Sequence, residues 1–480
     1  MILANEKPLG RNILYSAATA VSNVLLVALV IIAARILGAR SFGNFSFALA
    51  IASIFETFID LGSSTLIARE VARHRDRSEE YLSNILGWKL VLSAIAMAML
   101  VITVNLLHEV REARIAAYIF GGAIVLRSYK GTSHAFFQSQ ERFDLLLLTT
   151  YVERILVLIG GLAALILTRS LIAFAASFAL VRIPDLMFSF WLVHRQIAPV
   201  RISFNTKTIR KMQIASLPFG SYAAVGVMYS YVGTVMLSSM TDSVHVGWYS
   251  AGYKIYEGLT MFPYLVAAVL LPRLSRLYVD DPDQYASLTL RIMRYLLLVS
   301  LPLLFCIGVL APQVIGLFYG PTYIAAVPML RILLGAAVMM FMSTILGTAL
   351  VSADREKVVL KVTCASLVVM AASNLILVHR MGAIGAAYSV LVSEFFTLGV
   401  YLASVRSGLI RVPATQITWR PLVASIVAGL AVRFSGFNSQ YALAALFAGT
   451  YTVVLFALRT FDTDDWAVLK SLLLSRSESG

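Results

Sequence analysis

Apolar runs of about 20 residues or more recur along the whole of this 480-residue chain, from Leu14 to Leu458. A helix rises 1.5 Å per residue, so each run is long enough to cross about 30 Å of hydrocarbon. In hydrocarbon a backbone satisfies its own hydrogen bonds only as a helix or a closed barrel, and runs of this length are helical. The approximate spans are 14–38, 45–68, 83–107, 115–138, 145–168, 171–193, 214–238, 246–271, 288–311, 324–350, 358–379, 383–405, 417–434 and 440–458. Charged residues make up only 13% of the chain, about half the usual share of a soluble domain. The first run is longer than a signal-peptide core and has no small-residue cleavage site at its end, so it reads as a mature helix. The expected fold class is an all-α polytopic membrane protein with about 14 transmembrane helices.

A net charge of +14 could point to nucleic acid, but its placement along the chain says otherwise. With the N-terminus in the cytoplasm, the inner segments hold Lys7 and Arg11; Arg69, Arg73, Arg75 and Arg77; Arg142; Arg195, Arg201, Lys207, Arg210 and Lys211; Arg273 and Arg276; Arg355 and Lys357; Arg406, Arg411 and Arg420; and Arg459, Lys470 and Arg476. The outer loops hold Arg40, Arg111, Arg114, Arg169 and Arg380, with Arg433 near a border. The positive-inside rule then puts both termini in the cytoplasm and accounts for most of the charge without a polyanionic partner; nucleic acid is not expected. The expected location is the inner (cytoplasmic) membrane, crossed many times. Cys306 and Cys364 both fall within spans and imply neither a disulfide framework nor a metal cluster.

The segment HRQIAPVRISFNTKTIRKMQ, 194–213, follows the sixth span and has five fixed positive charges and no acid. It reads as a cytoplasmic linker between an N-terminal six-helix lobe, 1–193, and a C-terminal six-helix lobe, 214–405, with two further spans and a cytoplasmic tail in 406–480. A weak internal repeat agrees. GNFSFALA (43–50) and GWYSAGYK (247–254) share Gly, an aromatic and Ser at the same places, and SQERFD (139–144) matches SADREK (352–357) at the end of a fourth span in each half. Repeated halves around a midplane site are a common transporter plan.

The run RILGARSFGNFSFALAIASIFETFIDLGSSTLIAREVAR (35–73), together with SADREKVVLKVTCASLVVMAASNLILVHRMGAIGAAYSVLVSE (352–394), resembles the polysaccharide transport family, the Wzx-type flippases of the MOP superfamily. The resemblance covers essentially the whole chain, and rests on the order of loose motifs and on the span count. It implies a MOP/MATE-like pair of pseudo-symmetric six-helix bundles. It also implies a carrier, not an enzyme and without a cofactor, that moves an undecaprenyl-pyrophosphate-linked oligosaccharide from the cytoplasmic to the outer leaflet. Membrane lipids surround such a carrier, and a polysaccharide polymerase and a chain-length regulator are its expected partners.

Ionisable groups within the spans are the candidate site, because each is costly in lipid and faces a protein interior or a wet cavity. Span 115–138 carries Arg127, Lys130 and His134, within about 60° of one another on a helix. A guanidinium offers a planar fork to two phosphate oxygens, and an ammonium acts as a point charge. The basic pair either binds pyrophosphate or pairs across helices with Glu56 or Glu153; His134 reads as a headgroup-level residue. Glu56 and Asp60 stand at i, i+4 in the second span, either as an ion-coupling pair or with Asp60 shaping the DLGSS helix end. Glu153 and Arg154 lie in the fifth span. In the sixth, Arg182 and Asp185 at i, i+3 are expected to satisfy each other. Lys254 and Glu257 share that spacing in the eighth span, beside Tyr249, Tyr253 and Tyr256, whose rings suit either a sugar or the core. Arg331 in the tenth span and Glu394 in the twelfth complete the set. Substrate contacts are thus expected from Arg127, Lys130, Arg154, Arg182, Lys254 and Arg331, and ion coupling from Glu56, Asp60, Glu153 and Glu257. With Lys89 set aside near its span's inner end, four cations face four carboxylates in the first half.

No GxxxxGK[ST] run, HExxH or cysteine cluster is present, so the sequence offers no nucleotide-binding loop, no catalytic site and no metal site. Two other readings compete. A cation-coupled drug or small-molecule antiporter of the same superfamily would use a few carboxylates in an otherwise uncharged cavity. A membrane-embedded glycan enzyme needs a sizeable exterior loop, whereas the outer segments near 106–114 and 312–323 are about ten residues each.

Overall fold

Gly38 divides the first helix into two spans. Helix α1, Lys7–Asp60, is two helices joined across a kink at Gly38, whose φ 76° and ψ 170° are a backbone that a residue without Cβ adopts freely. The chain then forms α2 (Ser63–Arg73), α3 (Ser78–Leu106), α4 (Arg111–Ser139), α5 (Phe143–Thr168), α6 (Leu171–Gln196), α7 (Thr206–Met240), α8 (Ser243–Asp280), α9 (Pro282–Val309), α10 (Ala311–Phe318), α11 (Val327–Ser352), α12 (Glu356–Met381), α13 (Ala383–Arg406), α14 (Thr415–Phe434) and α15 (Gln440–Ala457). This computed structural model describes residues 7–107, 110–407, 409–410, 415–436, 439–458 and 460, with side chains from Leu25 onward and, in α14, from Trp419. The tail after Thr460 and the side chains of Lys7, Arg11, Arg411, Arg459, Lys470 and Arg476 lie outside the described residues.

Among the described residues there is no strand, and each of the fourteen apolar runs is helical over most of its length, the run 45–68 crossing the turn between α1 and α2. Eleven helical segments are long and apolar enough to cross a membrane, and the first of them, Leu25–Arg73, contains the kink and hence two spans. Helix α4 stands outside that set because its second half carries the basic stripe.

The chain groups into two compact units. One takes in the chain up to Ala251 with Phe318–Ala325 and Met370–Ser389, and the other takes in Gly252–Leu317, Ala326–Val369 and the chain from Val390 on. In the first unit, α1, α4, α5 and α6 pack around interlocked rings: Phe45 lies 5.5 Å from Phe120, and Phe174 lies 5.0 Å from Phe178, edge to face. The basic segment 194–213 belongs to this unit and is stapled along α3. Ser203 N–H donates to the Ser83 carbonyl (3.0 Å), Asn205 N–H to Asn84 Oδ1 (2.8 Å), and Trp88 Nε1 to Gln213 Oε1 (2.6 Å). Helix α1 also meets α8 backbone to backbone. A Cβ added to Gly43 would lie 1.8 Å from the Ser243 carbonyl oxygen, and one added to Gly247 would lie 2.0 Å from that of Ala39. These are the two glycines that the sequence repeat aligns.

In the second unit, α9, α14 and α15 share a core in which Phe305 stacks on Phe447 at 3.6 Å and the Tyr451 hydroxyl donates to the Leu298 carbonyl. Cys306 and Cys364 are free thiols.

The two turns that the repeat pairs are built alike. Arg142 N–H bonds the Phe137 carbonyl and Arg355 N–H bonds the Leu350 carbonyl, at 2.8 and 2.9 Å. Glu141 and Asp354 both take φ 57°, and Ser139 and Ser352 each back-bond to the carbonyl three residues earlier at 2.8 Å.

Candidate functional site

A cavity of about 390 Å³ opens within the first unit, lined by Ser53, Glu56, Thr57 and Asp60 of α1, Arg127, Ser128 and Gly131 of α4, and Gly220 and Tyr231 of α7. Charged and hydroxylated side chains line it beside Ala223 and Val227. Arg127 reaches across to Glu56: Nε donates to Oε1 at 2.7 Å and Nη2 pairs with Oε2. The fork is bidentate, and the Arg127 side chain keeps 43% of its surface exposed. A guanidinium has five N–H donors, so Glu56 leaves others for an anion that enters the cavity.

Asp60, at the foot of the same wall, does two things at once. Its Oδ1 accepts from the Ser64 and Ser63 hydroxyls at 2.5 and 3.2 Å, holding the turn in which Leu61 and Gly62 are both left-handed. The same oxygen takes Lys89 Nζ at 2.8 Å. Lys89 is fully buried, and its remaining donors go to the carbonyl and hydroxyl oxygens of Ser128 at 2.8 and 3.2 Å. Sequence reasoning set Lys89 aside as a lysine near its span's inner end; the signal for burial was its apolar neighbours on both sides in α3. Counting it makes five cations against four carboxylates in this half, so the charges no longer balance. Tyr231 was missed, since a single tyrosine in an apolar span carries no distinguishing pattern.

The basic stripe of α4 is split by its surroundings. Lys130 points away from Arg127 into a buried network, where Nζ donates to Glu153 Oε2 (2.8 Å), Asp185 Oδ1 (2.8 Å) and the Thr149 carbonyl (2.9 Å). All three ammonium donors are therefore taken. Arg182 donates to Glu153 Oε1 at 3.1 Å, and Arg154 lies 3.7 Å from the same oxygen. The expected pair of Arg182 with Asp185 is thus corrected: α5 packs closely on α6 and presents Glu153 to Arg182, while Asp185 goes to Lys130 of α4. His134 is part-buried with Nε2 3.0 Å from Thr149 Oγ1, inside the helix bundle.

The other candidates lie in the second unit. Lys254 meets Glu257 at 2.5 Å within one helix, as their spacing suggests. Tyr256 is buried and its hydroxyl donates to Glu394 at 3.3 Å; Tyr253 lies ring to ring with it at 5.5 Å. Arg331 lines an apolar cavity of about 420 Å³ with Leu304, Phe305 and Phe447, and its Nε donates to the Gly308 carbonyl at 3.0 Å. Tyr249, in the first unit, is buried.

Comparison with known proteins agrees with this architecture. A family described as polysaccharide biosynthesis protein matches residues 9–278, and the MatE family matches 223–376. A Haloferax volcanii protein named as a low-salt glycan biosynthesis flippase, Agl15, is 24% identical over 230 residues, 47% of this chain; the chain spans about half (48%) of that relative's length. A Shigella flexneri protein named as an O-antigen transporter is 24% identical over 375 residues, 74% of this chain and 87% of that one. Among solved structures, the lipid II flippase MurJ in an inward closed conformation aligns with TM-score 0.76 at 13% identity, covering 93% of this chain and 99% of that one. An inward-facing multidrug resistance MATE family transporter of the MOP superfamily aligns at 0.65 with 16% identity, covering 81% and 94%. At such identities these two likenesses are of fold: the helices are arranged as in MOP-superfamily transporters.

Proposed function

Because the chain belongs to the polysaccharide biosynthesis protein family, we propose that it is a flippase that carries an undecaprenyl-pyrophosphate-linked oligosaccharide from the cytoplasmic to the outer leaflet of the inner membrane, by alternating access of two pseudo-symmetric lobes. Both termini lie in the cytoplasm in this reading, and the exported unit passes to a polymerase and chain-length regulator.

The observation that carries the proposal is Arg127. It is a guanidinium at the wall of a hydroxyl-rich cavity inside the membrane, held in a fork by one carboxylate and still open to that cavity. The pyrophosphate competes with Glu56 for the fork and takes the donors that Glu56 leaves. The carboxylate then serves as a stand-in that returns to Arg127 when the anion departs, which keeps the site from holding its cargo too tightly. Moving net negative charge outward across an inside-negative membrane is favoured by about 2.3 kcal/mol per charge per 100 mV, with Glu56 and Asp60 as the proposed coupling carboxylates. Lys130, Arg182 and Glu153 take the part of scaffold, because their donors and acceptors are turned to one another. Arg154, Lys254 and Arg331 are kept as later phosphate contacts, and Glu257 as the partner that holds Lys254.

The test is transport of a lipid-linked oligosaccharide in proteoliposomes, read by its accessibility to a glycosidase outside. Arg127→Ala is expected to abolish transport at normal expression, and Arg127→Lys to keep part of it, having charge without the fork. Wild-type transport by Arg127→Ala would overturn the assignment. A second reading, a small-molecule antiporter, is favoured by the MatE match and by the two carboxylates in the cavity. It predicts cation-driven efflux of a dye from the same vesicles with no glycan movement.

A further inference from the structure

A second charged hollow lies in the other unit. It measures about 360 Å³ and is lined by Arg273 of α8 and by Asp283, Gln284, Ser287, Leu288 and Arg291 of α9. Positions 284, 287/288 and 291 recur at helical spacing, so α9 turns one polar stripe toward Arg273. Two guanidinium groups and one carboxylate border this single hollow. The neighbouring Asp281 is already engaged, since its side chain accepts from Gln284 N–H at 2.9 Å to cap α9.

Depth and surroundings narrow the ligand. Arg273 stands two residues beyond the apolar run that ends near 271, and Arg291 three residues inside the one that begins near 288. Both therefore lie at headgroup level, on the face that the positive-inside rule gives to the cytoplasm. From the hollow an apolar stripe climbs α9 through Leu288, Ile292, Val299 and Leu303, with Val299 and Leu303 openly exposed. A phosphate at the arginines would leave an attached acyl chain running along that stripe. A soluble anion has no use for it.

We infer that this hollow is a binding site for an anionic phospholipid, its phosphate between Arg273 and Arg291 with Gln284 and Ser287 as neutral donors, and one acyl chain laid along α9. Basic hollows beside membrane helices recognise such headgroups by the same chemistry. Asp283 opposes the phosphate and sets the affinity low enough for exchange.

The purified full chain in neutral detergent is titrated with phosphatidylglycerol and, separately, phosphatidylcholine, and bound lipid is counted by native mass spectrometry. R273Q and R291Q are each expected to weaken phosphatidylglycerol binding by about fivefold. D283N is expected to strengthen it by a similar factor, and phosphatidylcholine, whose choline offsets the charge of its phosphate, should respond less than phosphatidylglycerol in every variant. Arg276 is exposed on α8 but does not line the hollow, so R276Q should bind as wild type does. Wild-type binding by R273Q and R291Q, no gain in D283N, or an equal loss in R276Q would overturn the site. Displacement of the lipid by millimolar inorganic phosphate would overturn the lipid in favour of a soluble phosphate ligand.

Discussion

Replacing Lys130 with Met should unfold the protein more readily without being a transport lesion in its own right. Lys130 Nζ sits 2.8 Å from both Glu153 and Asp185, and the three side chains keep 3%, 9% and 1% of their surface exposed. Glu153 retains Arg182 at 3.1 Å when the lysine goes, but among the described residues Asp185 has no other hydrogen-bond or ion-pair partner. A buried carboxylate stranded in this way costs about 3–5 kcal/mol. That is a large part of the roughly 5–15 kcal/mol that holds a typical domain folded. At about 2 °C per kcal/mol for a domain of a few hundred residues, the expected fall in Tm is roughly 6–10 °C. Removing the stranded charge as well, in K130M/D185N, should return at least half of the loss. Arg127→Ala is the contrast: the Glu56 it leaves behind still lines the open cavity, so the fall in Tm should be smaller than that of K130M while transport is lost. Thermal unfolding in detergent, followed by tryptophan fluorescence, measures all three. K130M melting with the wild type, or a double variant no better than the single, would refute a stranded Asp185.

The cross-helix pairing makes R182D/D185R a poor rescue, since it sets Asp beside Glu153 and Arg beside Lys130; its detergent-stable yield should be no better than that of either single change, and recovery to the wild-type yield would sink the pairing. Gly43→Ala forces a methyl to within 1.8 Å of the Ser243 carbonyl, and overpacking of that kind costs about 1–3 kcal/mol or more; an unchanged melting temperature would show that α1 and α8 do not meet there. Lys207→Cys, in a chain whose Cys306 and Cys364 are replaced, should resist an impermeant thiol reagent in intact cells and react after lysis; labelling of intact cells would reverse the proposed orientation.

The spans, the helical class and the paired turns were legible in the sequence because each depends on neighbours along the chain. In hydrocarbon a backbone must close its hydrogen bonds within its own segment, so a run such as 145–168 is a helix whatever surrounds it, and α5 occupies Phe143–Thr168. The left-handed turns at Glu141 and Asp354 are likewise closed by bonds to carbonyls three to five residues back. The partners of the charges were not legible, because which groups meet is settled by how the helices pack. Arg182 and Asp185 have the spacing of a pair, yet α5 brings Glu153 to one and α4 brings Lys130 to the other. Arg127 and Lys130 differ by only about 60° around α4. That rotation suffices to aim one at an open cavity beside Glu56 and to bury the other between α5 and α6. Lys89 looked like an inner-end lysine and is instead the buried counter-ion of Asp60, because α3 lies against the wall where α1 ends.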